Sequence, residues 1–131
     1  MKKHIVLVDD DRDELQIFIE ALDMTGIAYK CTWAKDGEQA LSQLQYLSPD
    51  IVFLDLNMPG LDGFETLRRI MQLPGKTYKV IVYSNSMSRE ASAKALLLGA
   101  DHYIQKTETI GELSLTLQTM LAGTCKQTIP V

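Results

Sequence analysis

Cysteine is nearly missing from this chain of 131 residues: only Cys31 and Cys125 occur, far apart and without the spacing of a metal-binding pair. That argues against a disulfide framework and a cysteine-ligated zinc site, and two reduced thiols are expected. Long apolar runs are missing as well, with nothing near the ~20 residues that span a bilayer. The start, Met1-Lys2-Lys3-His4, has the basic character of a signal peptide. The apolar stretch after it, Ile5 to Val8, is too short and runs into three aspartates, so no secretory leader is expected and the protein is read as cytoplasmic. An excess of positive charge is also lacking; the formal net charge is −4, which argues against direct binding of nucleic acid. With no linker, repeat or low-complexity segment, one domain is expected over residues 1–123, followed by a flexible tail at 124–131.

What the chain does have is two apolar runs that end in carboxylates. Ile51-Val52-Phe53-Leu54 leads into Asp55, and Ile5-Val6-Leu7-Val8 leads into Asp9-Asp10-Asp11. An unbroken run of this length predicts a strand covered on both faces, as in a parallel sheet. Pro59-Gly60 then forces a turn, with Gly60 free to take a positive φ.

Along the whole chain strand and helix patterns alternate five times. The first helix places Leu15, Phe18, Ile19 and Leu22 on one face and closes near Gly26. A mixed strand over 28–34 has the polar residues of an edge position. Asp36-Gly37 opens a second helix with Ala40, Leu44 and Leu47, stopped by Ser48-Pro49. Asp62-Gly63 opens a third with Leu67, Ile70 and Met71. A strand over 79–83 precedes a fourth helix, capped by Ser88 and ending at Leu96-Leu97-Leu98-Gly99. A short strand over 102–105 is followed by a capping box, Thr109-x-x-Glu112, and a last helix with Leu113, Leu117, Met120 and Leu121 inward.

Strict alternation implies an α/β three-layer sandwich: a five-stranded parallel sheet with helices on both faces and right-handed crossovers. Setting the first and third strands side by side brings their terminal aspartates together at a switch point, as in the flavodoxin-like order 2-1-3-4-5. Asp9 and Asp10, Asp55, Ser84 and Lys106 then all stand at the carboxyl ends of strands. Converging carboxylates repel unless a cation neutralises them. An all-oxygen set with open positions suits Mg²⁺, which takes few protein ligands. A carboxylate, a cation, a lysine and a hydroxyl suit phosphoryl transfer to an aspartate, where positioning and charge neutralisation do most of the work.

In order and spacing, Val8-Asp9-Asp10, Leu54-Asp55-Leu56-Asn57-Met58-Pro59-Gly60, Asp62-Gly63, Ser84 and Gly99-Ala100-Asp101-x-Tyr103-Ile104-x-Lys106 resemble the receiver domain of two-component response regulators, over essentially residues 3–122. The resemblance implies that Asp55 is the phosphoacceptor and that Lys106 pairs with the phosphoryl oxygens. It implies Mg²⁺, with Mn²⁺ able to take its place, held by Asp10, Asp55 and the backbone carbonyl of Asn57, with Asp9 acting through a metal-bound water. It also implies that Ser84 turns in to hydrogen-bond the phosphate, that Tyr103 follows, and that the surface of the fourth helix, fifth strand and fifth helix is thereby remodelled. The partners implied are a histidine kinase or histidine phosphotransfer protein upstream and a protein target downstream, for a monomer or weak homodimer that is not itself an enzyme. With nothing after Gly123 that could fold as an output domain, a single-domain regulator is expected.

Three positions depart from the family pattern. Thr107 stands where a proline normally follows the lysine, so a cis Lys106–Thr107 bond would cost roughly 2.5–4 kcal/mol or give way to a rearranged loop. Asn85 follows the serine where Ala or Gly is usual, and its amide is expected to restrict access to the phosphoryl group. Asp11 adds a carboxylate that suits the start of the first helix. Trp33, His4 and His102 have no neighbours in sequence that suggest ligation. Two other classes fit less well. An aspartate-based small phosphatase wants a general acid two residues after its nucleophile, where this chain has Asn57. A nucleotide- or flavin-binding protein wants a phosphate loop after its first strand, where this chain has Asp9-Asp10-Asp11. A constitutive pseudo-receiver is disfavoured by the intact Asp, Lys and Ser set.

Overall fold

The computed structural model describes residues 2–58, 60, 62–85, 88–106 and 109–123. Elements alternate as β1 (Lys3–Val8), α1 (Arg12–Thr25), β2 (Tyr29–Ala34), α2 (Gly37–Leu44), β3 (Ile51–Leu54), α3 (Gly63–Met71), β4 (Lys79–Ser84), α4 (Arg89–Leu97), β5 (His102–Gln105) and α5 (Ile110–Gly123). The strands form one parallel sheet in the order β2-β1-β3-β4-β5. This is the expected flavodoxin-like order, with β2 at an edge.

The apolar runs of β1 and β3 split by the pleat into two sets, because successive side chains point to opposite faces. Ile5, Leu7, Ile51 and Phe53 join Ile81 and Tyr83 under α1 and α5, packing on Phe18, Leu22, Leu113 and Leu117. Val6, Val8, Val52 and Leu54 join Val80 and Val82 on the opposite face, against Leu67, Ile70 and Ala95. Neither face reaches water, which is why these strands read as continuous rather than alternating.

Helix starts follow the capping chemistry of the sequence. The Asp11, Asp36, Asp62 and Ser88 side chains accept from the N–H groups of Asp13, Gln39, Glu65 and Ala91. Thr109 Oγ1 accepts from Glu112 N at 3.0 Å. Asp11 is thus the N-cap of α1. The second helix ends before Ser48-Pro49: after Leu44 the chain tightens into bonds from Gln45 N to Ser42 O and from Tyr46 N to Gln43 O, which end the regular helix a turn early. Gly60 has φ 88°, the conformation expected of it.

Cys31 lies on β2, half-buried, and burial pushes its thiol up to about 11, so it is a poor nucleophile. Cys125 and the tail lie outside the described residues. Among the described residues no helix is long and apolar enough to cross a membrane.

Candidate functional site

The carboxyl ends of β1, β3, β4 and β5 meet at one edge of the sheet. β1 and β3 are paired through Leu7↔Phe53 and Val8↔Leu54, so Asp9 and Asp55 leave adjacent strands at the same level. One carboxylate oxygen from each of Asp9, Asp10 and Asp55 lies within 4.8 Å of the others. Asp9 and Asp55 are buried, while Asp10 is exposed on the rim. The floor is apolar. Phe18, Phe53 and Tyr83 pack edge-on or tilted, with centroids 5.1, 5.9 and 6.4 Å apart, and exclude water from below.

Lys106 closes the site from β5. Its Nζ donates to Asp9 Oδ2 at 2.9 Å and lies 3.5 Å from Asp55 Oδ2 and 3.6 Å from Glu14 Oε1. The ammonium also stands 5.5 Å from the centre of the Tyr83 ring. Burial acts to lower the Lys106 pKa, but the Asp9 hydrogen bond and the charges of Asp9, Asp55 and Glu14 outweigh it and hold the group above its ordinary value. For Asp55 burial wins. It raises the pKa, with help from the Asp9 charge, against the Asn57 N–H and Lys106, which pull it down.

The loop after β3 folds back over Asp55: Asn57 N–H donates to Asp55 Oδ1 at 3.0 Å, and the Asn57 side-chain amide donates to Ser84 Oγ at 3.2 Å. Ser84 is fully buried at the end of β4, so this amide links the serine to the acidic cluster. Tyr103 lies opposite Val82, two residues before the level of Ser84, and packs half-buried on the α3–α4 side of the sheet. Asn85, directly after Ser84 in the chain, is exposed. Thr107, and with it the Lys106–Thr107 bond, lies outside the described residues, as does Pro59.

Two contributors were not evident from the sequence. Glu14, in the first turn of α1, faces Lys106 across the site. Trp33, at the end of β2, donates its indole N–H to the Asp9 carbonyl at 2.7 Å. Contacts spanning 24 residues leave no periodic trace in a single sequence.

The donor set fits a small hard cation. Three carboxylate oxygens gathered within 4.8 Å, with soft ligands absent from the cluster, are what Mg²⁺ or Mn²⁺ binds. Lys106 alone leaves the acidic cluster net negative.

The fold, with its acidic cluster at the carboxyl ends of the strands, is that of a receiver domain, and the family comparison agrees. The family model for the response regulator receiver domain matches residues 5–118, and the chain belongs to that family. The nitrate/nitrite response regulator protein NarL of Escherichia coli is 32% identical over 123 residues, 90% of this chain and 55% of NarL. A protein-glutamate methylesterase/protein-glutamine glutaminase of Symbiobacterium thermophilum is 32% identical over 113 residues, 86% of this chain and 31% of that protein. The chain therefore spans about half or less of these curated relatives. Among solved structures, the phosphorylated cyanobacterial phytochrome response regulator RcpA superposes with a TM-score of 0.86 at 26% identity, covering 100% of both chains. The Mn²⁺-bound form of response regulator Rcp1 does so with a TM-score of 0.80 at 26% identity, covering 98% of this chain and 99% of that one.

Proposed function

We propose that this receiver domain accepts a phosphoryl group on Asp55 from the phosphohistidine of a histidine kinase or histidine phosphotransfer protein, and passes the signal on by altering its α4-β5-α5 face. The observation that carries the reading is the convergence of Asp9, Asp10 and Asp55 with Lys106 at the strand ends. A phosphorylated receiver and a Mn²⁺-bound one among the structural relatives support it.

Asp55 supplies the attacking oxygen. As the new P–O bond forms, the P–N bond to the donor histidine breaks, and its imidazole nitrogen takes the electron pair and then a proton from solvent. The Asn57 N–H on Oδ1 orients the carboxylate so that Oδ2 faces Lys106. The aromatic floor keeps water from beneath the nucleophile. Asp10, Asp55 and the Asn57 carbonyl would hold Mg²⁺ and Asp9 would act through its water; the bound ion neutralises charge on the phosphoryl oxygens. Lys106 has only to shift from Asp9 toward Asp55 to pair with those oxygens. Ser84 would exchange the Asn57 amide for the phosphate and Tyr103 would turn inward behind it. Phosphorylation adds about −1.5 to −2 charges to a packed site, enough to bias such a rearrangement.

On the output face Leu96 and Leu97 of α4 and Leu115 of α5 are exposed, Leu97 to 87%, whereas Leu98 is partly buried against the core. These apolar side chains suit a protein target or a weak homodimer. A cytoplasmic location is consistent with the free thiol of Cys31.

Incubation with Mg²⁺ and a small phosphodonor, followed by intact mass, tests the reading. An adduct present in wild type and missing in Asp55→Asn is expected; a wild type left unmodified by phosphohistidine donors as well overturns it, in favour of a constitutive binding module.

A further inference from the structure

The main chain of the acidic turn after β1 is tied to β2 at two points. Asp9 N–H donates to the Ala34 carbonyl at 3.0 Å, and the Asp9 carbonyl accepts from Trp33 Nε1–H at 2.7 Å. That carbonyl belongs to the planar peptide unit joining Asp9 to Asp10, so fixing it places the N and Cα of Asp10, the base from which its side chain leaves the chain. Asp10 is the exposed member of the carboxylate cluster. Unlike buried Asp9 and Asp55, it is not enclosed by packing, and its aim depends on the turn. The indole is itself held in place. The Arg12 guanidinium stands 5.8 Å from the ring centre, and Gln43 Nε2 donates to the Trp33 carbonyl at 3.1 Å. Partial burial at the end of an edge strand would suit phenylalanine as well; an N–H aimed at the peptide preceding Asp10 would not be supplied by it.

We propose, resting on the reading of Asp9, Asp10 and Asp55 as a cation site, that Trp33 is a positioning residue for that site. Its indole N–H orients the Asp9–Asp10 peptide so that Asp10 presents its carboxylate to the ion, and losing that N–H weakens Mg²⁺ binding. Partners outside the ligand shell typically contribute ~10- to 100-fold to metal affinity. A single hydrogen bond acting through the backbone belongs at the low end, about tenfold.

Trp33 is the only tryptophan in the chain, so it can be replaced or observed by itself. Mg²⁺ is titrated by calorimetry into wild type, Trp33→Phe, and protein carrying benzothienylalanine at position 33, which keeps the ring's size but has sulfur in place of N–H. Both replacements are expected to bind about tenfold more weakly, with the sulfur analogue melting close to wild type in EDTA. In isotope-labelled wild type the single indole N–H resonance should be protected from solvent exchange and shift over the Mg²⁺ range found by calorimetry. Wild-type affinity in the sulfur analogue overturns the positioning role, whatever Trp33→Phe does to folding. A wild type that takes up no Mg²⁺ would instead sink the cation-site reading from which the proposal starts.

Discussion

Lys106 Nζ stands closer to Asp9 Oδ2, at 2.9 Å, than to Asp55 Oδ2, at 3.5 Å. The lysine side chain is only 6% exposed, so its charge is satisfied almost wholly by the protein. In the resting state Lys106 is thus a counter-ion shared between two buried aspartates, with Glu14 as a third neighbour.

Lys106→Met removes that counter-ion and leaves Asp9 and Asp55 buried together. Breaking a buried pair from one side costs about 3–5 kcal/mol, and this loss is expected in metal-free urea unfolding. Because the folded pKa of Lys106 is raised, its contribution is fully present below 10.5 and fades as pH rises through the folded value. Wild type should therefore lose stability in the alkaline range by a step that Lys106→Met lacks.

Asp55 titrates in the same direction but in the acidic range. Its folded pKa lies above 3.8, so its protonated form favours folding: stability is greatest below 3.8 and declines as pH rises through the folded value. Asp55→Asn keeps the shape and deletes the charge beside Asp9. It should raise metal-free stability near neutral pH by roughly 1–2 kcal/mol and flatten that decline. A pH profile from denaturant unfolding in EDTA checks it; an unchanged slope would assign the titration to another group.

Asn85 is expected to lengthen the life of a phosphoryl group on Asp55. The side chain is exposed, one residue after Ser84. Asn85→Ala should open a path for water and speed hydrolysis several-fold, about 1 kcal/mol in the barrier. The decay of the phosphorylated mass at fixed Mg²⁺ reads this directly, and equal decay rates would remove Asn85 from the account.

Gly63 lets α3 start against the loop that carries Asn57. A Cβ there would lie 2.3 Å from the Leu56 carbonyl oxygen and 2.5 Å from its Cα, both backbone atoms that cannot swing away. Gly63→Ala is expected to destabilise the fold by ~1–3 kcal/mol and to displace the Asn57 bonds to Asp55 and Ser84. Thermal unfolding gives the first effect and a slower reaction with phosphodonor the second.

Much of this was legible in the sequence because it rests on local rules. Alternating element patterns, caps at Asp11, Asp36, Asp62, Ser88 and Thr109, and apolar runs ending in acid all depend on residues a few positions apart. The bounds of α2 were not legible, because a helix end tightened by i→i+3 bonds depends on backbone geometry that no residue type dictates. Nor was it legible which leucine of α4 is covered: Leu96, Leu97 and Leu98 look alike in sequence, and only packing against the core separates Leu98 from the two exposed leucines.

By itself the sequence determined the layered α/β fold, the strand ends on which Asp9, Asp10, Asp55, Ser84 and Lys106 stand, and the family to which the chain belongs. Tertiary structure alone decided how those groups share one another. It placed Lys106 on Asp9 and within reach of Glu14, the Asn57 amide on Ser84, and the Trp33 indole on the Asp9 carbonyl. The reason is physical: periodicity and turn chemistry are written in neighbouring residues, whereas the partner of a buried charge is set by which strands the sheet lays side by side.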